Sequence, residues 1–153
     1  MELKRIASFE VNHNVLERGI YISRIDKDIT TYDIRMKLPN KNDYLATAAM
    51  HTIEHIVATF VRNSAYSDRI IYFGPMGCRT GFYFLTRDSV SYEDAISIVY
   101  SSMNFVKDFE GEIPGTTAEE CGNYKEHDLE GAKEIAADMA EVLSNWNEEK
   151  LYY

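Results

Sequence analysis

The spacing of apolar side chains changes repeatedly along this chain, and this change restricts the fold more than any other feature of the sequence. From Gly19 to Leu38, apolar residues recur at every second position on both sides of Asp26-Lys27-Asp28, which predicts a β-hairpin closed by Pro39. Two further runs of aromatic and β-branched residues, Arg69–Phe73 and Phe82–Arg87, predict a second strand pair. The sequence therefore predicts two antiparallel strand pairs.

Three other segments repeat their apolar residues at the period of an amphipathic helix. The first is predicted over residues 44–62, with Asp43 as its N-cap. The second opens at a capping box formed by Ser91 and Asp94, and the third begins near Asp128. Helices and strands thus follow one another without a β-α-β unit, which favours an α+β fold with an antiparallel sheet packed against helices.

No internal repeat and no linker rich in Pro, Gly or Ser divides the chain. Its 153 residues are therefore expected to form one domain, residues 1–153, around a single core. The final stretch, NEEKLYY, is expected to be frayed.

Charge and hydropathy exclude several kinds of partner. The 16 basic and 25 acidic residues leave a net charge of −9, and such a field repels the phosphates of nucleic acids and anionic lipids. No apolar stretch approaches the roughly 20 residues of a membrane span, and the first residues lack the apolar segment of a secretory signal. We therefore expect a cytoplasmic protein that binds neither nucleic acid nor membrane.

Two histidines stand one helical turn apart in the first predicted helix, in the string His51-Thr52-Ile53-Glu54-His55. This spacing places both imidazoles on the same helix face about 6 Å apart, where they can share a metal ion. That face lies nearly opposite the apolar stripe of the helix. Two unrelated histidines on a solvated face would give the same pattern, because short motifs have real false-positive rates.

The order H-x-x-E-H occurs in the inverzincin metallopeptidases, so a third ligand must decide the chemistry. Cys121 precedes the last predicted helix, and a His/His/Cys site with an open position would bind zinc or iron. Hydrolytic zinc sites usually have Glu or His as the third ligand, whereas a thiolate leaves a weaker Lewis acid that suits carbonyl and alcohol chemistry. A buried structural cysteine is an equal alternative for Cys121. His127, expected to be solvated, is a spare ligand candidate.

Cys78 and Glu54 are the candidates for moving protons beside such a metal. Cys78 lies in the segment 74–81, whose glycines let the backbone approach a ligand closely. Next to a metal and Arg79 its thiol could exchange protons near neutral pH, although a single cysteine more often belongs to a core. Glu54 lies beside the ligand face without being needed as a ligand, so the two residues would form an acid/base pair.

Six short strings match a known family in the order in which they occur. They are SFEVNH at 8–13, YDIR at 32–35, HTIEH at 51–55, GPMGCRTGFY at 74–83, EECG at 119–122 and HDLEGAK at 127–133. Each string alone is a weak signal, but together they resemble S-ribosylhomocysteine lyase, the autoinducer-2 synthase family. The likeness extends from Ser8 to about Trp146.

The resemblance implies a homodimeric enzyme in which a sheet packs against helices and two identical active sites lie at the subunit interface. His51, His55 and Cys121 match the family's metal ligands, which hold one Fe(II) per subunit, often Zn or Co when isolated. Cys78 and Glu54 match its acid/base residues. The positions that line the family's substrate pocket correspond here to Ser8, His13, Arg35 and Arg62.

The resemblance also implies a reaction, cleavage of the thioether of S-ribosylhomocysteine to homocysteine and 4,5-dihydroxy-2,3-pentanedione, the autoinducer-2 precursor. The sugar carbonyl must migrate from C1 to C2 and then to C3 before β-elimination can expel the thiolate. Each migration removes a proton α to a carbonyl, which requires acid/base groups. A metallopeptidase and a non-catalytic metal-binding dimer are the alternatives.

The chain departs from the family pattern at Tyr72, where members usually carry an aspartate six residues before the catalytic cysteine. The stretches between His13 and Arg35 and between Arg62 and Arg69 are also shorter than usual. The substrate contact of that aspartate is therefore not expected here, and the pocket rim and dimer contacts are expected to differ.

Overall fold

Two hairpins joined edge to edge form one sheet in the computed structural model, which describes residues 1–153. β1 (Gly19–Asp26) pairs with β2 (Ile29–Arg35), and β3 (Ile70–Pro75) pairs with β4 (Gly81–Arg87). Because β2 also pairs with β4, the strand order is β1-β2-β4-β3 with every neighbour antiparallel. The predicted antiparallel sheet and the α+β class are confirmed.

Three long helices and one single-turn helix accompany the sheet. They are α1 (Ala7–Glu10), α2 (Thr47–Arg62), α3 (Tyr92–Lys107) and α4 (Leu129–Leu143), and a 3₁₀ turn at Ser67–Arg69 follows α2. The long helices pack on one another, and α2 and α4 also contact the sheet. None of the helices combines the length and apolar composition that a membrane crossing requires.

The core lies between one face of the sheet and the long helices. Side chains at alternate positions of β1, β2 and β4 contribute to it and are almost wholly buried. The largest are Ile20, Tyr32, Ile34, Phe82 and Phe84 from the sheet and Ile53, Ile56, Met103 and Met139 from the helices. Burial of a large apolar side chain contributes about 1.5–3 kcal/mol, so this packing sets the position of α2 relative to the sheet.

No long helix covers the other face of the sheet. Asp33 of β2 lies there, opposite Tyr21 of β1 and Tyr83 of β4 in the strand register. Arg35, two positions further along β2, shares this face because side chains alternate along a strand. This outer face is therefore polar and aromatic where the core face is apolar.

The helix α2 begins at Thr47, later than predicted, and Asp43 is not its N-cap. The Asp43 carboxylate instead accepts a hydrogen bond from Lys37 Nζ, at 3.1 Å. The backbone of Leu45 is held in place by the glycine-rich turn, because its N–H donates to the carbonyl of Arg79 at 2.8 Å. This contact places the turn that carries Cys78 beside the start of α2.

The other two long helices begin as predicted. Ser91 Oγ accepts the N–H of Asp94 at 3.1 Å and caps α3. Asp128 caps α4, since its carboxylate accepts the N–H of Gly131 at 2.9 Å. The cap of α3 was predicted from the sequence because it depends only on neighbouring residues, whereas the start of α4 near Asp128 was predicted from helical periodicity.

The final stretch is packed against the fold, so the prediction that it is frayed is wrong. After α4 a 3₁₀ turn at Glu148–Lys150 leads to Leu151, whose side chain is 0% exposed. The N–H of Ile22 donates to the Leu151 carbonyl at 2.7 Å. Tyr153 then donates its hydroxyl to Asp33 at 2.7 Å. One buried leucine in a polar stretch has no periodicity, and the sequence therefore did not reveal this anchor.

We expect Leu151→Ala to lower the free energy of unfolding by about 2–5 kcal/mol, because it removes buried methyl groups and leaves a cavity. Leu38→Ala is the control: the sequence placed Leu38 on the predicted strand, but it is 44% exposed and should change stability by about 0.5 kcal/mol or less. Chemical denaturation measures both. Equal stability of the two variants would contradict the anchoring role of Leu151.

Candidate metal centre and active site

His51 and His55 both lie on the side of α2 that faces away from the core, with ring centroids 4.5 Å apart. His51 Nδ1 donates to the backbone carbonyl of Glu126 at 2.7 Å. His55 Nδ1 donates to the backbone carbonyl of Pro114, also at 2.7 Å. With both Nδ1 atoms used as donors, each Nε2 keeps the lone pair that a metal ion requires.

Cys121 completes a group of three ligand atoms. Its Sγ lies 3.5 Å from His51 Nε2 and 3.8 Å from His55 Nε2, and all three atoms lie within 4.8 Å of one another. Zinc bonds of about 2.0 Å to nitrogen and 2.3 Å to sulfur, meeting at a tetrahedral angle, place the two atoms about 3.5 Å apart. The residues therefore fit a tetrahedral metal ion whose fourth position stays open.

The loop between α3 and α4 supplies both the thiol and the carbonyls that orient the histidines. Its approach to α2 requires Gly115, whose φ is +73° and where a Cβ atom would lie 3.0 Å from His55 Nδ1. The Cys121 N–H donates to the carbonyl of Thr117 at 3.1 Å. The Asn123 N–H donates to Cys121 Sγ at 3.4 Å, which helps to hold the sulfur in place.

His127 packs beneath this group and is not one of the clustered ligands. Its ring stacks on His51 with centroids 4.2 Å apart, and its Nδ1 is 3.0 Å from Thr52 Oγ1. Burial lowers the pKa of His127, and the charges of His51 and His55 lower it further. His127 is half-buried rather than solvated as expected, and its ring packs against that of His51.

Cys78 belongs to a different cluster, at the ends of β2 and β4. Its Sγ lies 3.1 Å from Thr80 Oγ1, and the thiol-bearing residue is exposed. Arg35 Nη1 donates to the same Thr80 oxygen at 2.7 Å and lies 3.9 Å from Cys78 Sγ. The guanidinium and the thiol therefore lie side by side and share the Thr80 hydroxyl as a neighbour.

Arg35 is itself a buried charge, 3% exposed, paired with Asp33 at 2.6 Å. Burial alone would lower the pKa of Arg35, but the charge of Asp33 and its hydrogen bond raise that pKa above the ordinary value. The guanidinium therefore remains charged. Within this chain Arg35 contacts protein groups on both Nη atoms.

Glu54 follows His51 by three positions on α2 and is half-buried. Its carboxylate takes part in none of the side-chain hydrogen bonds or ion pairs of the chain, so it is free to exchange a proton. Because Cys78 lies on a turn after β3, the two candidate proton carriers come from different elements.

The residues expected to line a substrate pocket are not gathered in one place. Ser8 and Tyr72 line an open groove of about 470 Å³ on the outer sheet face. Arg62, at the end of α2, donates to the carbonyl of Ile71 at 2.9 Å, whereas His13 Nδ1 is 2.8 Å from the Val11 carbonyl. None of the three clustered metal ligands lines this groove.

Sequence reasoning missed several groups that complete these clusters. The sequence contains no local signal for the Glu126 and Pro114 carbonyls, because any residue type supplies a carbonyl. Asp33 had a usable signal, because it stands two positions before Arg35 on β2 and positions i and i+2 of a strand share a face. Thr80 had none, because it lies with Cys78 in the turn between β3 and β4.

We expect His55→Ala to lose its metal, because a site with two protein ligands is open to water and binds far more weakly. His13→Ala is the control, since His13 lies outside the cluster and should leave the metal content unchanged. Metal analysis of the purified proteins measures both. Stoichiometric metal in His55→Ala would overturn the ligand assignment.

Comparison with known proteins agrees with this geometry. The family described as S-ribosylhomocysteinase (LuxS) matches residues 6–150 of the chain. The S-ribosylhomocysteine lyase of Phocaeicola vulgatus is 47% identical, the alignment covering 99% of this chain and 98% of that protein. Those of Clostridium acetobutylicum and Desulfotalea psychrophila are 44% and 47% identical, with 99% of both chains covered. This chain belongs to the S-ribosylhomocysteinase (LuxS) family.

Proposed function

We propose that this chain is an S-ribosylhomocysteine lyase, a carbon-sulfur lyase formed by one domain over residues 1–153. It cleaves the thioether to homocysteine and 4,5-dihydroxy-2,3-pentanedione, from which autoinducer-2 forms. The observation that carries the proposal is the convergence of His51, His55 and Cys121 in a chain that matches the family over residues 6–150.

The metal that we propose is one Fe(II) per subunit, with Zn or Co as substitutes in isolated protein. His51, His55 and Cys121 would hold it, and their donor set of two imidazoles and a thiolate suits such ions. A metal ion in this site supplies a Lewis acid that polarises a sugar oxygen and makes neighbouring C–H bonds more acidic. The carbonyls that accept from both Nδ1 atoms keep the two rings oriented for this ligand role.

Cys78 and Glu54 are the proposed proton carriers. Two carbonyl migrations, from C1 to C2 and from C2 to C3, each take a proton from one carbon and return one to its neighbour. With the carbonyl at C3, loss of the C4 proton expels the homocysteine thiolate from C5. Cys78 Sγ is suited to this exchange because it is exposed and lies beside the Arg35 guanidinium, and Glu54 offers a carboxylate with no partner in the chain.

We further propose a cytoplasmic homodimer with its active sites at the subunit interface. Support comes from the separation of Ser8, His13 and Arg62 within one chain, together with the groove on a sheet face that no long helix covers. A second copy on this face could bring residues of two chains into one pocket. The substrate contacts of Ser8, His13, Arg35 and Arg62 are part of this proposal.

A metallopeptidase is the alternative suggested by the H-x-x-E-H order of α2. The family match does not favour it, and a thiolate as third ligand leaves a weaker Lewis acid than hydrolytic zinc sites use. A non-catalytic metal-binding dimer would have the same ligand cluster, and only an activity measurement separates it.

The first test is incubation of the metal-loaded protein with S-ribosylhomocysteine and a thiol reagent. We expect free homocysteine to appear, because β-elimination releases a thiol that neither a peptidase nor a passive metal-binding protein can produce. Parallel incubation with peptide substrates tests the alternative. Peptide hydrolysis without homocysteine release would overturn the proposed function.

We expect Cys78→Ser and Glu54→Gln to keep their metal and fold but to lose about 10²–10⁴-fold in turnover, the usual contribution of a general acid or base. Neither a serine hydroxyl nor an amide can exchange protons near neutral pH as the original groups do. Glu141→Gln, an exposed acid of α4, is the matched control. Turnover near that of the wild type in a metal-replete Glu54→Gln or Cys78→Ser protein would remove that residue from the mechanism.

A further inference from the structure

A row of polar contacts, buried at Asp33 and Arg35, joins the half-exposed Tyr153 to the turn that carries Cys78. Tyr153 donates its hydroxyl to Asp33 Oδ2 at 2.7 Å, and Arg35 Nη2 donates to the same oxygen at 2.6 Å. Arg35 Nη1 then reaches Thr80 Oγ1 at 2.7 Å and lies 3.9 Å from Cys78 Sγ. We infer that Tyr153 and Asp33 are positioning residues, which aim the Arg35 guanidinium at the Cys78 thiol.

Two buried polar atoms of this cluster lack a hydrogen-bond partner, and their position shows why the Tyr153 hydroxyl matters for the orientation of Arg35. Asp33 Oδ1 and Arg35 Nε are both buried without a partner, so the pair forms one strong bond rather than the two parallel bonds that an arginine and a carboxylate prefer. Tyr153 occupies the oxygen that Arg35 shares and thereby restrains rotation of the carboxylate. Without that restraint, Asp33 can turn to pair with both Nε and Nη2, which draws Nη1 away from Thr80.

Tyr153 is well placed to act as a fixed donor. Its ring stacks on Tyr21, with centroids 5.0 Å apart and an interplanar angle of 16°. Two residues earlier, Leu151 is fully buried and accepts the N–H of Ile22, so the backbone that carries Tyr153 is tied to β1. Burial raises the pKa of the Tyr153 phenol, and the charge of Asp33 raises it further, which keeps the hydroxyl protonated.

The same contacts would serve stability alone if Arg35 had no effect on Cys78. A buried ion pair is often neutral for stability once desolvation is included, so its strength does not decide between the two roles. What separates them is the reactivity of Cys78, which a purely structural Tyr153 would leave unchanged in a folded protein.

Tyr153→Phe is the discriminating variant, because it keeps the ring and its stacking but removes the donated hydrogen bond. Tyr152→Phe is the matched control, since Tyr152 is 64% exposed and forms none of these contacts. Both variants are prepared as metal-loaded protein, and circular dichroism and metal content are compared with those of the unchanged chain.

Two measurements follow. The first is the rate at which iodoacetamide alkylates Cys78 at pH 7, followed by peptide mapping so that Cys121 is counted separately. The second is kcat and KM for homocysteine release, which alone depends on the proposed function. In Tyr153→Phe we expect slower alkylation and a kcat lowered about 10-fold, with KM changed less, because displacement of a positioned group by about 1 Å can lower a rate by up to 10²-fold.

The outcomes are distinguishable. Slower alkylation in Tyr153→Phe but not in Tyr152→Phe supports the inference. If neither the variants nor the unchanged chain release homocysteine, that result overturns the proposed function but leaves the inference standing. Equal alkylation rates in the two folded, metal-loaded variants would overturn the inference, whatever their turnover.

Discussion

The packing of α2 against the sheet is the interaction on which the candidate metal centre depends. One stripe of this helix, including Ile53, Ile56 and Val57, is at most 1% exposed, and its burial leaves His51 and His55 on the opposite side. Hydrophobic burial therefore positions the histidines, although it involves neither ring. A helix fixed in this way can hold two half-buried imidazoles without requiring a metal for its own stability.

Backbone carbonyls, rather than side chains, orient both imidazoles. Because Glu126 and Pro114 accept from the two Nδ1 atoms, both rings have the same tautomer and turn their Nε2 atoms toward Cys121. Metal-binding histidines generally bond a carboxylate or carbonyl through the other nitrogen, which fixes the ring orientation. The loop that provides these carbonyls also provides the thiol, so the placement of one segment assembles the whole cluster.

The outer sheet face contains a buried ion pair where the core face has apolar packing. Asp33 and Arg35 are 2–3% exposed, and the desolvation of two such charges offsets much of their attraction. Thr80 and Tyr153 satisfy part of the remaining hydrogen-bonding capacity at the two ends of the pair. The pair therefore contributes little net stability, and its Arg35 end lies 3.9 Å from Cys78 Sγ.

Local patterns in the sequence determined much of the fold. Alternation predicted the first hairpin, and aromatic and β-branched runs predicted the second strand pair. The 3.6-residue period predicted the long helices, and a capping box located the start of α3, because each of these signals depends on residues a few positions apart. The i, i+4 spacing also placed His51 and His55 on one helix face. The assignment of Cys121 as their partner came from the family resemblance, since spacing alone left a buried structural cysteine as an equal alternative.

Only the tertiary structure decided the contacts between distant segments. It placed Cys121 against His51 across 70 positions and Tyr153 against Asp33 across 120 positions. In the structure α2 begins at Thr47 rather than at residue 44, and the final stretch, NEEKLYY, is packed against the fold rather than frayed. Hydrogen bonds to backbone carbonyls and the burial of a single leucine leave no periodic trace in a sequence, because they depend on which surfaces meet when the chain folds rather than on neighbouring residues.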